Sequence, residues 1–330
     1  MNQPAILFVS VLLTVFALTV IALRILIPIL RSKKAGQRIL DIGPRWHKSK
    51  EGTPIMGGLA FILAILLVSA AFFIYKSTLG AASTLIPLAL TLAFAVGNGA
   101  IGFVDDYCKL IKKQNEGLKV FQKLFLQIAV AAAYVCVMAY TGNFPTVWRI
   151  PFTQISLELG WFSYPLAILI LGGVVNGANF TDGIDGLASS VTCVIGIFFA
   201  VIAFLSKDEQ LTFQAALLIG ATIGFLFYNF HPARIFMGDT GSLFLGAMVI
   251  GAAFMMRDPG VGLILSAVFI IEMLSSLLQV CYFKLTHGKR IFRMAPIHHH
   301  FECYGWKENK IVAVFSAVEL VFCVIAYFAL

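Results

Sequence analysis

Ten apolar runs, most about twenty residues long, divide this chain, and they constrain its fold more than any other feature. They fall at 4–30, 54–75, 83–104, 121–141, 161–178, 187–205, 212–229, 240–256, 260–283 and 311–329. A helix of about 20 apolar residues crosses the hydrocarbon core of a bilayer. Within that core every backbone polar group must find an internal partner, so helices are the expected solution. The expectation is an all-α, polytopic membrane protein forming one domain over residues 1–330. Composition agrees: 60% of residues are hydrophobic and 12% charged, against roughly 25% charged in a soluble domain. The first run lacks a basic start and is too long for a cleavable signal, so it reads as a retained span. Arg24 interrupts it near one end, where its head group can snorkel.

The net charge is +8, and its placement is more informative than its sum. Nineteen Lys and Arg residues, from Arg31 through Lys109, Lys123 and Arg234 to Lys310, lie in one alternating set of loops. Only Lys76, Arg149, Lys207 and Arg257 lie in the other. The basic side is expected to face the cytoplasm, with both termini outside. Bases distributed in short loops between spans indicate topology, and no nucleic-acid partner is expected. In the loop 142–160, Trp148, Ile150, Phe152, Ile155, Leu157 and Leu159 are interleaved with polar residues, which predicts an interfacial hairpin or short amphipathic element. The six cysteines form no CxxC pair, which argues against a zinc site or a disulfide framework.

Five aspartates stand at the basic side in Gly-rich or aromatic settings: Asp105 and Asp106, Asp182 and Asp185, and Asp239. These positions are expected in loops abutting the spans. Helix capping accounts for any one of them. Five together would repel one another unless a cation or basic groups neutralised them. Neighbouring residues on a helix point about 100° apart, so Asp105 and Asp106 are expected to differ in role, one facing a metal or nucleophile and the other orienting it. Lys109, four residues after Asp105, is placed to pair with it. Asn176, Asn179, Asp182 and Asp185 recur every three residues and drift around an unbroken helix, while Gly177, Gly183 and Gly186 suggest a helix opening into a loop. Asn within a span is commonly a helix–helix hydrogen bond, which is the plainer account of Asn176 and Asn179.

His298, His299 and His300 follow Pro296 and precede Phe301 and Glu302. Adjacent histidines diverge and make a poor zinc site, whereas imidazoles suit a phosphate or sugar contact; a solvated loop is the plainer account. Carboxylates with Lys and His and without Cys suit Mg²⁺ and a diphosphate. There is no GxxxxGK[ST] phosphate loop.

The motifs Asp105-Asp106-Tyr-Cys-Lys109, Asn176-Gly-Ala-Asn179-Phe-Thr-Asp182-Gly-Ile-Asp185-Gly, Gly238-Asp239-Thr-Gly-Ser, Pro296-Ile-His298-His299-His300-Phe-Glu302 and Gly52-Thr53-Pro54-Ile-Met-Gly57-Gly58 together resemble the polyprenyl-phosphate N-acetylhexosamine-1-phosphate transferases. The motifs span nearly the whole chain. The His-His-His-Phe-Glu form resembles the branch whose donor is UDP-N-acetylmuramoyl-pentapeptide. The resemblance implies ten transmembrane helices, outside termini, a homodimer, a bacterial plasma-membrane location and a cytoplasmic active site. It implies Mg²⁺ as cofactor and undecaprenyl phosphate as acceptor, with UMP leaving. By the same resemblance Asp239 binds metal, Asp105 contacts or deprotonates the lipid phosphate with Asp106 nearby, and Lys123 binds phosphate. His298, His299 and His300 complete the catalytic set. Asn176, Asn179, Asp182, Gly183, Asp185, Asn229 and Phe236 fall to the substrate, Phe236 against uracil, and Lys48 and His299 contact the nucleotide sugar.

Three rival readings remain, one of them a non-catalytic scaffold in which Asp239→Ala would leave UMP release unchanged. A family member using UDP-N-acetylglucosamine shares these motifs. A secondary transporter also places polar residues in interrupted helices, but it needs charge near the bilayer midplane, and here the carboxylates gather at one face. Glu272 and Gln279 lie seven residues apart on one face of the ninth span. An internal pairing within the bundle or a dimer contact is the favoured reading, and a bend in that long span is expected to shape a groove for a lipid tail.

Overall fold

The computed structural model describes residues 3–32, 50–112 and 117–330. Lys48, expected at the nucleotide sugar, lies outside the described residues. The chain forms helices α1 (Gln3–Ser32), α2 (Gly58–Thr78), α3 (Ile86–Lys112) and α4 (Val120–Tyr140). A two-stranded hairpin follows, β1 (Val147–Arg149) and β2 (Ser156–Glu158). The remainder is α5 (Ser163–Thr181), α6 (Leu187–Ser206), α7 (Glu209–Asn229), α8 (Gly238–Met255), α9 (Pro259–Ile264), α10 (Ala267–Leu285), α11 (Ile297–Glu302) and α12 (Glu308–Ala329). Among the described residues ten helices are long and apolar enough to cross a membrane, as the apolar runs predict.

Helix α8 is the axis of the bundle. Every residue from Thr240 to Phe254 is buried, which matches a helix that is apolar all round. It packs along α3 and α5. Without a hydrophobic drive between helices in lipid, close backbone approach supplies the association. A Cβ on Gly58 of α2 would stand 2.4 Å from Gly241 Cα of α8, and one on Gly102 of α3 would meet the Asp239 carbonyl oxygen. These contacts bring the polar end of α3 against the start of α8.

Two expectations are corrected. Helix α3 does not stop at 104; it runs on to Lys112, so Asp105 and Asp106 lie on a helix and not in a loop. Their carboxylates turn inward to partners described below, which lets the helix continue past its apolar run. Asp239 likewise sits in the first turn of α8. The ninth apolar run has the expected bend in the form of a break, α9 ending and α10 beginning on either side of Leu265 and Ser266. The Val268 amide, which the break leaves without an intrahelical acceptor, donates to the buried Glu319 carboxylate of α12 at 3.2 Å. The loop after α4 forms the expected hairpin, pairing Val147 with Glu158, Trp148 with Leu157 and Arg149 with Ser156.

Gly102→Val is expected to force α3 from α8 and to destabilise the detergent-solubilised protein by about 1–3 kcal/mol. Gly172→Ala, whose added Cβ meets nothing within 4 Å, is the control that should leave Tm unchanged or slightly raised. Thermal unfolding of both variants checks this.

Candidate active site

The first polar cluster forms where the C-terminal turns of α3 meet the N-terminus of α8. One carboxylate oxygen each from Asp105, Asp106 and Asp239 lies within 4.8 Å of the others. Two unit charges at such a separation repel by about 3–4 kcal/mol at an effective dielectric near 20, so the cluster requires positive charge. Lys109 supplies it: its Nζ lies 2.6 Å from Asp105, 3.2 Å from Asp239 and 3.7 Å from Asp106. Lys123, one turn into α4, adds a second ammonium 2.7 Å from Asp239. Three carboxylates against two lysines leave a formal charge of −1, which suits a further cation.

The two adjacent aspartates share Lys109 but take different hydrogen-bond partners. Asp106 accepts from the Asp239 amide at 3.2 Å, the Thr240 amide at 3.0 Å and the Thr240 hydroxyl at 2.7 Å. Helix α8 has no local side-chain cap, and Asp106 caps it from another helix. Gly238 is required there, because its φ is +72° and a Cβ would stand 2.4 Å from the Asp106 carboxylate. Asp105 instead accepts from the Leu118 amide at 2.8 Å and pairs with Lys109. Asp239 is left half-buried between Lys109, Lys123 and Asn179, whose side-chain amide donates to it at 2.9 Å.

Asn176 lies one turn further into α5. Its amide donates to Gln127 of α4 at 3.0 Å and to the Gly172 carbonyl at 2.8 Å, a helix–helix bond apart from the carboxylates. Asp182 follows the end of α5. Burial first, then the charges of Asp239, Asp106 and Asp185, hold its carboxyl well above the usual carboxylate range.

Asp185 belongs to a second cluster. Lys50 Nζ lies 2.6 Å from both Asp185 and Glu308, and His231 Nδ1 lies 2.9 Å from the other Asp185 oxygen. The Asp185 amide also donates to Glu308 at 2.9 Å. Four segments remote in sequence are thus pinned together beside the Asp182–Gly186 turn. Asn229 adds a brace by accepting from the Gly186 amide and donating to the Ile235 carbonyl. Phe236 is held through its backbone, its amide on the Pro54 carbonyl at 2.8 Å and its carbonyl accepting from Gly57. Lys50, His231 and Glu308 escaped the sequence reading. Lys50 alone had a signal, since it immediately precedes the Gly52-Thr53-Pro54 motif.

The expected divergence of the three histidines holds only for His300: the His298 and His299 rings lie against each other, centroids 4.1 Å apart. His298 is wholly buried, and a Cβ on Gly183 would stand 2.2 Å from its Nε2. His299 pairs with Glu302 at 2.5 Å. His300 Nδ1 accepts from the Arg293 amide at 3.0 Å and its ring packs edge-on to Tyr304.

Donor chemistry and spacing in the first cluster fit a hard divalent cation, which takes carboxylate oxygens and completes its octahedron with water and substrate phosphate. Such an ion would enter beside Lys109, which already neutralises part of the cluster.

The family profile described as glycosyl transferase family 4 matches residues 86–257. The chain is 41% identical to a phospho-N-acetylmuramoyl-pentapeptide-transferase of Caldicellulosiruptor bescii over 94% of this chain and 93% of the relative. It is 42% identical to the protein of that name from Halalkalibacterium halodurans, covering 95% and 94% of the two chains. It is 43% identical to the one from Clostridium botulinum, covering 97% and 96%.

Two stability predictions follow from these contacts. Asp106→Ala removes the cap of α8 and should cost about 1–2 kcal/mol; Asp106→Asn, which keeps an acceptor, should lose less than half of that in the same thermal melts. For Asp182, a folded pKa above the unfolded value means a cost that is absent at low pH. The cost grows as pH rises from about 3.9 and is full above the folded pKa. Asp182→Asn is therefore expected to raise Tm in EDTA at pH 7.5, by clearly more than at pH 4.5.

Proposed function

The chain belongs to glycosyl transferase family 4, and from that membership we propose that it transfers phospho-N-acetylmuramoyl-pentapeptide from its UDP donor to undecaprenyl phosphate. The products are undecaprenyl-diphospho-N-acetylmuramoyl-pentapeptide and UMP. The observation that carries this reading is the cluster of Asp105, Asp106 and Asp239 held against Lys109 and Lys123 at one end of a membrane bundle. The near full-length similarity to enzymes of that name supports the choice of donor.

In this reading a lipid phosphate oxygen attacks the β-phosphorus of the donor, and the bond to UMP breaks. A phosphate monoester has its second pKa near 6, so the attacking oxygen is largely ionised at pH 7 without a strong base. Positioning and charge neutralisation then dominate the rate. Lys123 and Lys109 provide positive charge for the phosphates, and Asp105 orients the acceptor. Asp106 holds Asp239 in place by fixing the first turn of α8. Asp239, with Asp105 and Asp106 beside it, would hold Mg²⁺, which supplies Lewis-acid neutralisation of the diphosphate.

The turn Asp182–Gly186, Asn179, Asn229 and Phe236 receives the nucleotide, Phe236 with its ring against uracil. His299 and His300 lie toward the sugar. Asn176 and Lys48 carry over as donor contacts from the family resemblance. That resemblance also supports a homodimer in the bacterial plasma membrane with outside termini and a cytoplasmic site.

The test is UMP release by purified protein. Turnover is expected with UDP-N-acetylmuramoyl-pentapeptide and undecaprenyl phosphate, to be abolished by EDTA and restored by Mg²⁺. Asp239→Ala should lower kcat by at least about 100-fold. Turnover of UDP-N-acetylglucosamine alone would overturn the reading.

A further inference from the structure

We propose that Glu272 is a positioning residue for the transfer, acting through His298, whose free ring nitrogen it presents beneath the donor-side turn at Gly183. This deepens the transferase reading above and rests on it for the identity of the donor. Glu272 lies in the membrane-spanning helix α10 and is wholly buried. Its Oε2 lies 2.9 Å from His298 Nδ1, and its Oε1 has no hydrogen-bond partner among the described residues. A buried carboxylate with one oxygen unsatisfied is costly, and a well-packed apolar residue would serve stability as well or better. An ionisable residue placed on those terms points to a role other than holding the helices together.

The surrounding contacts show what it positions. Residues 272, 275 and 279 share one face of α10. Gln279 Oε1 accepts from the Ile291 and Phe292 amides at 3.1 and 2.9 Å. Ser275 Oγ accepts from the Ile297 amide at 3.0 Å. Glu272 then takes the His298 ring. One stripe of α10 thus docks the returning segment 291–298, and only its last rung grips a side chain capable of chemistry. With Glu272 ionised the carboxylate can only accept, so Nδ1 carries the hydrogen, and Nε2 is the nitrogen left to serve. That atom has no partner among the described residues and faces Gly183. The absence of a Cβ at Gly183 is what admits the ring. The buried ring thus supports from beneath the turn that carries Asp182 and Asp185, the turn assigned above to the donor.

The experiment measures steady-state UMP release by the full-length protein in detergent for wild type, Glu272→Gln, His298→Ala and the double variant, with Tm recorded for each. Glu272→Gln keeps the side-chain volume but no longer enforces one ring form. It is expected to lower kcat by at least about tenfold, with KM for the UDP donor within about threefold. In the His298→Ala background the same change should alter kcat by less than about twofold, because the two residues act as one unit. Equal losses in both backgrounds, or a Glu272→Gln kcat within about twofold of wild type, would overturn the proposal.

A second readout does not depend on turnover. In protein labelled with ¹⁵N-histidine, the His298 ring resonances, assigned by their loss in His298→Ala, should report hydrogen on Nδ1 in wild type and shift in Glu272→Gln. Unchanged resonances would overturn the positioning role. If wild type releases no UMP while the resonances shift as expected, the transferase reading fails and the Glu272–His298 link stands.

Discussion

The repulsion among Asp105, Asp106 and Asp239 is the constraint around which this end of the bundle is organised. Three carboxylates within 4.8 Å cannot be kept at the edge of an apolar bundle without compensation. Lys109 and Lys123 supply two charges, and the α8 N-terminus supplies amides to Asp106. The same contacts fix the approach of α3 to α8, so the electrostatics of the site and the packing of the core are one problem. The glycines at 58, 102 and 241 permit the helices to come close enough for it to be solved.

A second cluster balances the first across the Asp182–Gly186 turn. Lys50, Asp185, His231 and Glu308 tie the segment before α2, the start of α6, the segment before α8 and the start of α12 to one another. Asp182 lies between the clusters and feels the negative charge of both. A divalent cation or a basic ligand group near it would relieve that field, which connects binding at the site to the local stability of the turn.

The membrane fold was legible because hydropathy is a local property: twenty apolar residues in a row admit few alternatives to a spanning helix. The boundaries were less so. Asp105 and Asp106 looked like loop residues because they follow an apolar run, yet inward-facing charges with partners do not end a helix. A bend in the long ninth run was expected, but its place at Ser266 was not legible: the residues beside it are apolar, and the acceptor that stabilises the interruption, Glu319, comes from a helix about fifty residues further on.

The carboxylate-rich face was legible in the sequence, since its aspartates stand in Gly-rich or aromatic settings beside the spans. What each residue bonds to was not. Asp106 as a cap for α8, Asn176 as a link to α4, and Glu272 as the partner of His298 depend on which helices meet and at what rotation. Sequence by itself determined that this is a ten-span helical membrane protein with acidic motifs on its basic side. Only the tertiary structure decided which charges neutralise which, because ion-pair partners are set by helix packing over distances at which local pattern holds no information.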